Sequence, residues 1–249
     1  YVMEVKSHFK GIIHCHSNHS YDSIVSIKEI YNFAKNNELD FVILTDHNTI
    51  DGSLELRDYA KNKNDTKLIV PVAAEYKTEF GDVIVVFNKS EIDYKNSFNE
   101  FYKSVKLQDA ITLLPHPYQS HKELDRLYNV CDLIEVYNPR LSDTKNVEAE
   151  KKAFLQKKNY YFGSDAHLKE DYENVIVLIE NKGDFKTSIL NGKISLFKKS
   201  KTKKINIIKS QIIKGFKQKK IILILKQMLK IIKLILKNEL LNKAWQLNK

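Results

Sequence analysis

Short apolar runs alternate with amphipathic segments between about Lys10 and Ile179 of this chain. The runs are too short for helices and predict buried β-strands at residues 11–13, 41–44, 68–73, 111–114, 132–137 and 160–162. A further run at 82–87 follows Glu75 closely enough to form a hairpin with the strand before it. Apolar residues at helical spacing predict helices at residues 26–34, 53–61, 98–107, 121–128 and 146–157. This alternation favours a mostly parallel α/β sheet, either closed as a barrel or open.

Histidines and acids cluster at the ends of five of the apolar runs. These candidate metal ligands and their neighbours are His14, His16, Asp46, His47, Glu75, His116, Asp165 and His167. Strand ends that meet at one edge of a barrel can bring imidazole and carboxylate groups together from distant parts of a chain. The pattern therefore predicts a hydrolytic metal centre.

The spacing within the clusters supports this interpretation. His14 and His16 are two residues apart, as are Asp165 and His167, so each pair projects from one face of an extended chain. Asp22 follows the first pair at a distance that allows its loop to fold back over the site. Acids that only cap helices would be the alternative, but capping explains one acid at a time and not five clusters.

The charge is unevenly distributed along the 249 residues. The net charge is +10, but 18 lysines and one acid from Lys186 onward give that segment +17, which leaves −7 for the rest. Only the C-terminal segment is therefore expected to seek polyanions. Two distant cysteines and a first segment without an apolar stretch favour a reducing, cytoplasmic location.

The C-terminal segment divides into a lysine-rich stretch at residues 198–204, expected to be an exposed linker, and an Ile/Leu/Lys helix at residues 221–237. The lysines of this helix form one narrow stripe at Lys226, Lys230, Lys233 and Lys237. They interrupt the run too often for a transmembrane span. Packing on the body, self-association and peripheral contact with an anionic membrane are favoured over nucleic-acid recruitment, because few aromatic residues accompany the lysines.

Six motifs together resemble the PHP (polymerase and histidinol phosphatase) domain family, in particular its small stand-alone metal-dependent phosphoesterases. They are His14-x-His16-Ser17-x-x-Ser20-x-Asp22-Ser23, Leu44-Thr45-Asp46-His47-Asn48-Thr49, Ala74-Glu75, Leu114-Pro115-His116-Pro117, Ile134-Glu135-Val136-Tyr137-Asn138 and Gly163-Ser164-Asp165-Ala166-His167. The resemblance implies a PHP domain at residues 1–194, built as a distorted seven-stranded β/α barrel, followed by a linker and basic amphipathic helical tail at residues 195–249.

The resemblance also implies two or three divalent ions at the C-terminal face of the barrel. One would take His14, His16, Asp165 and a bridging Glu75, a second Glu75 and His116, and a third Asp22, His47 and His167. The chain departs from related trinuclear members because it has no histidine about ten residues after Glu75, where Asp82 is a weak substitute. Nitrogen and oxygen ligands without thiolate favour zinc, manganese or iron.

The predicted function is hydrolysis of a phosphate ester by metal-activated water, on a phosphorylated small molecule, a nucleotide or an oligonucleotide end. Arg140 is a candidate phosphate contact and His19 a candidate substrate contact, whereas Asp46 either orients a ligand or caps a helix. His121 is expected on a helix surface. The alternatives are an amide or ester hydrolase with a metal barrel, and a non-catalytic metal-binding module recruited by its basic tail.

Overall fold

The computed structural model describes residues 6–247, with side chains of the last helix described as far as residue 236, and within this range the chain forms nine strands and eight α-helices. The strands are β1 (His8–Cys15), β2 (Phe41–Leu44), β3 (Ala73–Thr78), β4 (Gly81–Val86), β5 (Ile111–Leu114), β6 (Leu133–Tyr137), β7 (Asn159–Phe162), β8 (Val175–Glu180) and β9 (Ile194–Lys199). The helices are α1 (Ile27–Asn36), α2 (Asp51–Asn62), α3 (Phe98–Leu107), α4 (Leu124–Val130), α5 (Asp143–Leu155), α6 (Phe185–Asn191), α7 (Lys204–Lys217) and α8 (Ile221–Leu247).

The strands form two sheets, one of four strands in the order β2-β1-β8-β9 and one of five in the order β3-β4-β5-β6-β7. The pairs β1–β2, β5–β6 and β6–β7 are parallel, and the other four described pairs are antiparallel. The mixed α/β fold is thereby confirmed. The sheets are mixed, however, because the tight β3–β4 hairpin and the returning strands β8 and β9 introduce antiparallel pairs.

The gap between the two sheets is spanned by isolated backbone bridges. His47 pairs with Glu75 and Cys15 with Ala166, and the bonds include His16 N–H to Ala166 O at 2.9 Å and Glu75 N–H to Asp46 O at 3.1 Å. The predicted closed seven-stranded barrel is therefore not confirmed among the described residues, because the continuous ladders end on both sides of this gap. The bridges draw the sheets together at the edge that carries the candidate ligands.

An apolar core fills the space between the sheets. Ile13 and Ile43 of the four-stranded sheet pack in one cluster with Ile84 and Leu113 of the five-stranded sheet. Because side chains alternate along a strand, the neighbouring residues point outward and receive helices. Phe101 of α3 thus packs on the outer face of the five-stranded sheet. Glu75 pairs with Ile84 in the hairpin and lies where this inner core ends.

Most local predictions are close to the observed elements. Helix α1 begins with a capping box in which the Ser26 hydroxyl accepts from Glu29 N–H and the Glu29 carboxylate accepts from Ser26 N–H, and α3 has the predicted bounds. The predicted strand at 68–73 is wrong, because this segment contributes only one bridge, from Ile69 to Phe41. Pro71 has no N–H to donate to a ladder. Strand β3 begins at Ala73, so Glu75 lies within a strand and not after one.

The predicted helix at 121–128 also begins too early. Helix α4 starts at Leu124, and His121 lies before it, partly buried, with its Nε2 2.9 Å from the carbonyl oxygen of Asp82. The expectation of a helix-surface His121 is therefore wrong. This contact anchors the loop before α4 to the start of β4.

The C-terminal segment is more closely integrated with the fold than its composition indicates. The predicted linker at 198–204 contains the end of β9 and the start of α7, and the predicted boundary after Ile194 falls within β9. Strand β9 pairs with β8 along its length, and Asn206 of α7 donates from Nδ2 to the buried Asp171 Oδ1 at 2.8 Å. The run of lysines at residues 198–204 obscured the end of β9 and the start of α7, because it has no apolar residue that would show the period of a strand or a helix.

Candidate metal centre

All eight predicted metal ligands lie together at the edge where the bridges join the sheets, and all are buried or nearly so. Their donor atoms fall into four overlapping groups in which every atom lies within 4.8 Å of the others. The groups are His16-Asp22-His47-His167, His14-His16-Glu75, His14-His116-Asp165 and Glu75-Asp82-His116. The structure therefore brings five separate parts of the chain to one site.

The first implied ligand set is compact. His14 Nε2 lies 3.5 Å from Glu75 Oε2 and 3.7 Å from Asp165 Oδ1, and His16 Nε2 lies 3.5 Å and 3.6 Å from the same two oxygens. Ligands that share an ion at bond lengths of about 2.0–2.2 Å are at most roughly 4.4 Å apart. Each of these histidine-to-carboxylate separations therefore suits two donors to one ion, and His14, His16 and Glu75 together form one compact group.

A second group surrounds Asp22. Its Oδ2 lies 3.2 Å from His47 Nε2 and 3.3 Å from His167 Nε2. The other ring nitrogen of His47, Nδ1, is 3.1 Å from Glu75 Oε2, so this imidazole connects the two groups. Asp22 reaches the site from the loop after β1, as its position in the first motif predicts.

The third group contains a residue that the sequence analysis set aside. Glu75 Oε1 is 2.9 Å from His116 Nε2, and a donor atom of Asp82 lies within 4.8 Å of both ligands. Asp82 pairs with Lys77 across the β3–β4 hairpin, which places it beside Glu75. Hairpin register, which motif spacing does not reveal, thus supplies a carboxylate where a further histidine is missing.

The donor atoms lack the protein partners that buried polar atoms normally have. His14 Nε2, His16 Nε2, Asp22 Oδ1 and Glu75 Oε2 are inaccessible to solvent and make no hydrogen bond. A buried polar atom without a partner costs roughly 1–3 kcal/mol, so four such atoms in one cluster fit the binding of a metal ion. Imidazole nitrogens with carboxylate oxygens fit zinc, manganese or iron.

Buried charge controls the ionisation of the centre. Burial disfavours the charged form of Glu75, but His47 and His14 outweigh it and hold the pKa of Glu75 well below its usual range. Burial lowers the pKa of His47, yet the carboxylates of Asp22 and Glu75 raise it to about 9. The pKa of His116 is likewise raised to about 9 against burial by Glu75. The metal-free centre thus holds protons where ions would bind.

His14 and His116 are positioned by Glu135, a residue that the sequence analysis did not assign. His14 Nδ1–H donates to Glu135 Oε1 at 2.8 Å, and the main-chain N–H of His116 donates to Oε2 at 2.6 Å. The bond to Nδ1 fixes the tautomer that leaves Nε2 free for an ion. A Cβ at Gly163 would overlap Glu135 Oε1, so glycine is required there. The available signal was an acid within the apolar strand at 132–137, since a buried carboxylate needs partners.

Asp46 supports the ligand His16 through the hydroxyl group of Ser20. Its carboxylate accepts from Ser17 N–H at 2.6 Å and from the Ser20 hydroxyl at 2.8 Å. Ser20 Oγ in turn lies 3.2 Å from His16 Nδ1, so this chain holds His16 with Nε2 toward the site. The capping alternative for Asp46 is wrong, because α2 begins after Ile50 without a side-chain cap.

His19 does not face the centre. Its Nε2 lies 2.6 Å from Glu55 Oε2 of α2. His19 is also not among the residues that line the adjoining cavity. A substrate contact by His19 therefore stays a prediction that this arrangement does not support.

Arg140 borders the centre and connects it to α7. Its Nη1 is 3.0 Å from His167 Nδ1, its Nη2 donates to Ser210 Oγ at 2.9 Å, and its Nε is 3.6 Å from Asp165 Oδ2. Much of the guanidinium is thus engaged by the protein, although Arg140 also lines the adjoining cavity. Its first role is to hold two ligands in place.

Helix α7 forms a wall of the same cavity. Lys214 and Gln211 line it together with the ligands, and its volume is about 320 Å³. Lys214 Nζ lies 4.5 Å from the centroid of the Tyr21 ring, which stacks at 4.4 Å on the His47 imidazole. Lys217 Nζ donates to the carbonyl oxygens of Asn18 and Ser20 at 2.7 Å each. The helix is thereby fastened to the loop that carries Asp22.

A model of the PHP domain family matches residues 13–227. The chain is 32% identical over 120 residues to an uncharacterized protein of Methanocaldococcus jannaschii, which covers 47% of this chain and 68% of that protein. It is similar to the crystal structure of a two-domain protein from Bacteroides vulgatus that contains a predicted PHP-like metal-dependent phosphoesterase. The TM-score is 0.64 and the sequence identity is 18%, and the match covers 80% of this chain and 68% of that chain. It is also similar to PsfC from Pseudomonas syringae, with a TM-score of 0.60, 14% identity and 86% and 99% of the two chains covered.

Metal affinity should rise with pH. His47 and His116 have pKa values of about 9 in the metal-free centre, so at pH 7 both are protonated and an ion must displace their protons. We expect Mn²⁺ affinity to increase from pH 6.5 to pH 8.5 and binding to release protons. Isothermal titration in two buffers of different ionisation enthalpy measures both effects. Equal affinity at both pH values, with no proton release, would contradict this expectation.

Replacement Glu135→Gln should weaken metal binding by about 10–100-fold while the protein remains folded, because an amide has one acceptor oxygen and cannot accept from both His14 Nδ1–H and His116 N–H. Competition with a metal-binding dye measures the affinity. Glu148→Gln, on the exposed side of α5, is the matched control and should bind as the unmodified protein does. An unchanged affinity for Glu135→Gln would show that Glu135 does not position the ligands.

Proposed function

The chain belongs to the PHP domain family, and from this premise we propose that it is a metal-dependent phosphoesterase. We propose as substrate a phosphorylated small molecule, a nucleotide or the end of an oligonucleotide. The observation that carries the proposal is the convergence of eight donor residues, five with unpartnered buried atoms, beside a cavity that also contains cationic side chains.

Separate sets of residues would hold two or three ions of zinc, manganese or iron. His14, His16 and Asp165 would hold one ion, and Asp22, His47 and His167 another. Glu75 lies between these groups and His116 and is suited to bridge ions. When bound, such ions supply a nucleophile from water near neutral pH and offset negative charge on the phosphoryl oxygens.

Three cationic side chains line the cavity, those of Lys77, Arg140 and Lys214, and the last two have contacts beside the centre that suit a phosphate group. Arg140 presents a guanidinium at the cavity beside His167, and Lys214 presents an ammonium from α7 on the side of Tyr21. Guanidinium and ammonium groups donate charge-assisted hydrogen bonds to phosphoryl oxygens. A volume of about 320 Å³ lies at the small end of ligand pockets, roughly 300–1,000 Å³, which supports a substrate of nucleotide size or a single terminal nucleotide.

The same observations weigh against the alternatives. An amide or carboxylic ester has no dianionic group, so Arg140 and Lys214 would face a neutral substrate at a desolvation cost. A non-catalytic binding module needs neither an adjoining cavity nor cations beside its ions. Phosphate-ester hydrolysis makes use of every one of these groups.

Turnover should depend on the ligand set. With added Mn²⁺, the protein is expected to hydrolyse p-nitrophenyl phosphate, its diester or 5′-phosphorylated oligonucleotides. The variants His16→Ala and Asp165→Ala should each lose turnover by at least about 100-fold, because each removes a donor to an ion. The exposed residues His8 and Asp58 provide the matched controls His8→Ala and Asp58→Ala, which should retain it. Metal binding without turnover of any of the esters would favour the non-catalytic alternative.

Lys214 should contribute to substrate binding more than to the chemical step. A hydrogen bond to a charged group is worth about 1.5–3 kcal/mol, so Lys214→Met should raise KM by roughly 10–100-fold and leave metal content unchanged. Steady-state kinetics on the best ester measures the effect. Lys209→Met, an exposed position on the same helix, should leave KM unchanged. A KM equal to that of the unmodified protein would remove Lys214 from the substrate site.

A further inference from the structure

The described part of α8 has three distinct faces. One face packs on α7, where Ile224 lies against Gly215 and Gln227 is buried. A Cβ at Gly215 would lie 2.6 Å from Ile224 Cγ1, so glycine allows the two helices to approach closely. A second, narrow face carries the exposed lysines Lys226, Lys230 and Lys233.

The third face is apolar and exposed. It consists of large side chains that are 51–71% exposed, at Ile221, Ile222, Leu225, Met228, Leu229, Ile232, Ile235 and Leu236. Residues 221, 225, 228, 232 and 235 follow one another at spacings of four and three, so they form a continuous stripe along one side of the helix. A continuous exposed apolar patch of this kind marks a contact site on a soluble protein.

The charge around this stripe indicates which kind of partner could cover it. The sequence has no acid between Asp184 and Glu239, and Lys219 and Lys220 precede the stripe while Lys226, Lys230 and Lys233 border it. A second copy of the chain would bring these lysines close to an equal set of lysines, which is unfavourable. An anionic surface would instead complement them.

The arrangement of the faces suits an interfacial helix. At 100° per residue, Lys226 and Lys233 lie at one edge of the apolar face, next to Ile222 and Leu229, and Lys230 lies beyond them. The stems of the first two lysines can therefore follow the apolar surface while their ammonium groups reach headgroups. Among the described residues, no helix has both the length and the apolar content needed to cross a bilayer. Contact along the surface is therefore the mode that fits α8.

We propose that the exposed face of α8 docks on a membrane surface that contains anionic lipids. Its Ile, Leu and Met side chains enter the boundary between headgroups and acyl chains, and its lysines contact the lipid phosphates. Because α7 packs on α8 and also lines the metal-centre cavity, docking would hold that cavity next to the membrane. The docking itself does not depend on the proposed phosphoesterase activity.

Vesicle co-sedimentation of the full chain tests the proposal. We expect at least tenfold stronger binding to vesicles of phosphatidylcholine with phosphatidylglycerol than to phosphatidylcholine alone, with a decrease as salt is raised. The triple variant Leu225→Gln, Leu229→Gln, Ile232→Gln should lose binding at least tenfold. Glutamine favours helices and these positions are exposed, so circular dichroism should show an unchanged fold.

A control and a competing outcome make the test decisive. Phe154→Gln with Leu155→Gln removes two exposed apolar side chains from α5 and should leave vesicle binding unchanged. Lys226→Gln, Lys230→Gln, Lys233→Gln should remove the preference for anionic vesicles. The proposal is overturned if the unmodified chain ignores anionic vesicles, or if the apolar triple variant binds them as well as the unmodified chain does. Failure to bind, together with a dimer in light scattering that the triple variant abolishes, would identify a second copy as the occupant.

Discussion

Glu75 is almost completely buried, and its two carboxylate oxygens face the imidazoles of His14, His16, His47 and His116. A buried carboxylate is costly unless it is neutralised by close cations. Here the neutralising imidazoles are those of His14, His47 and His116, whose pKa values the nearby carboxylates raise, whereas burial and the neighbouring imidazoles lower the pKa of His16 to about 3. Three other parts of the chain must therefore meet at this point. Without metal, protons on the imidazoles can neutralise the Glu75 carboxylate, as the raised pKa values of His47 and His116 indicate. Divalent ions would neutralise it more completely. The surrounding backbone must therefore hold these side chains around one buried carboxylate.

Three of the metal-ligand residues have an unfavourable backbone conformation. His14, His116 and Asp165 have positive φ values of 69°, 30° and 46°, a region that non-glycine residues adopt rarely and at roughly 1–3 kcal/mol each. The β1–β2 register also shifts between Ile13 and Cys15, around His14. Two carboxylates compensate by fixing the ligands in place: Glu135 accepts hydrogen bonds from His14 and His116, and Asp46 accepts from Ser20, which contacts His16. The arrangement is typical of sites whose geometry is maintained for chemistry and not for stability.

The C-terminal lysine-rich segment serves two surfaces at once. Helix α7 contributes Lys214 and Gln211 to the cavity and is fastened to the ligand loop by Lys217. Helix α8 packs on α7 and leaves a long apolar stripe exposed. A segment that composition alone describes as a basic tail thus lines the cavity on one side and exposes an apolar face on the other. If both proposals hold, one pair of helices would couple substrate contact to membrane contact.

Much of the ligand set could be predicted from the sequence, because short-range spacing carries it. His14 and His16, Asp165 and His167, and the capping box of α1 depend on residues only two or three positions apart. Glu75 and His116 were identified because each stands at or near an apolar run, although β3 proved to begin later than the run did. Asp22 followed from its place in a local motif.

The remaining features depend on contacts between residues far apart, and no local pattern encodes them. Glu135 supports His14 across 121 positions, Ser210 reaches Arg140 across 70, and His19 pairs with Glu55 of α2 across 36. The sequence alone determined which side chains could bind metal, since ligand chemistry belongs to residue type. Only the tertiary structure decided which of them meet and what surrounds them, because proximity depends on how sheets, bridges and helix α7 pack together.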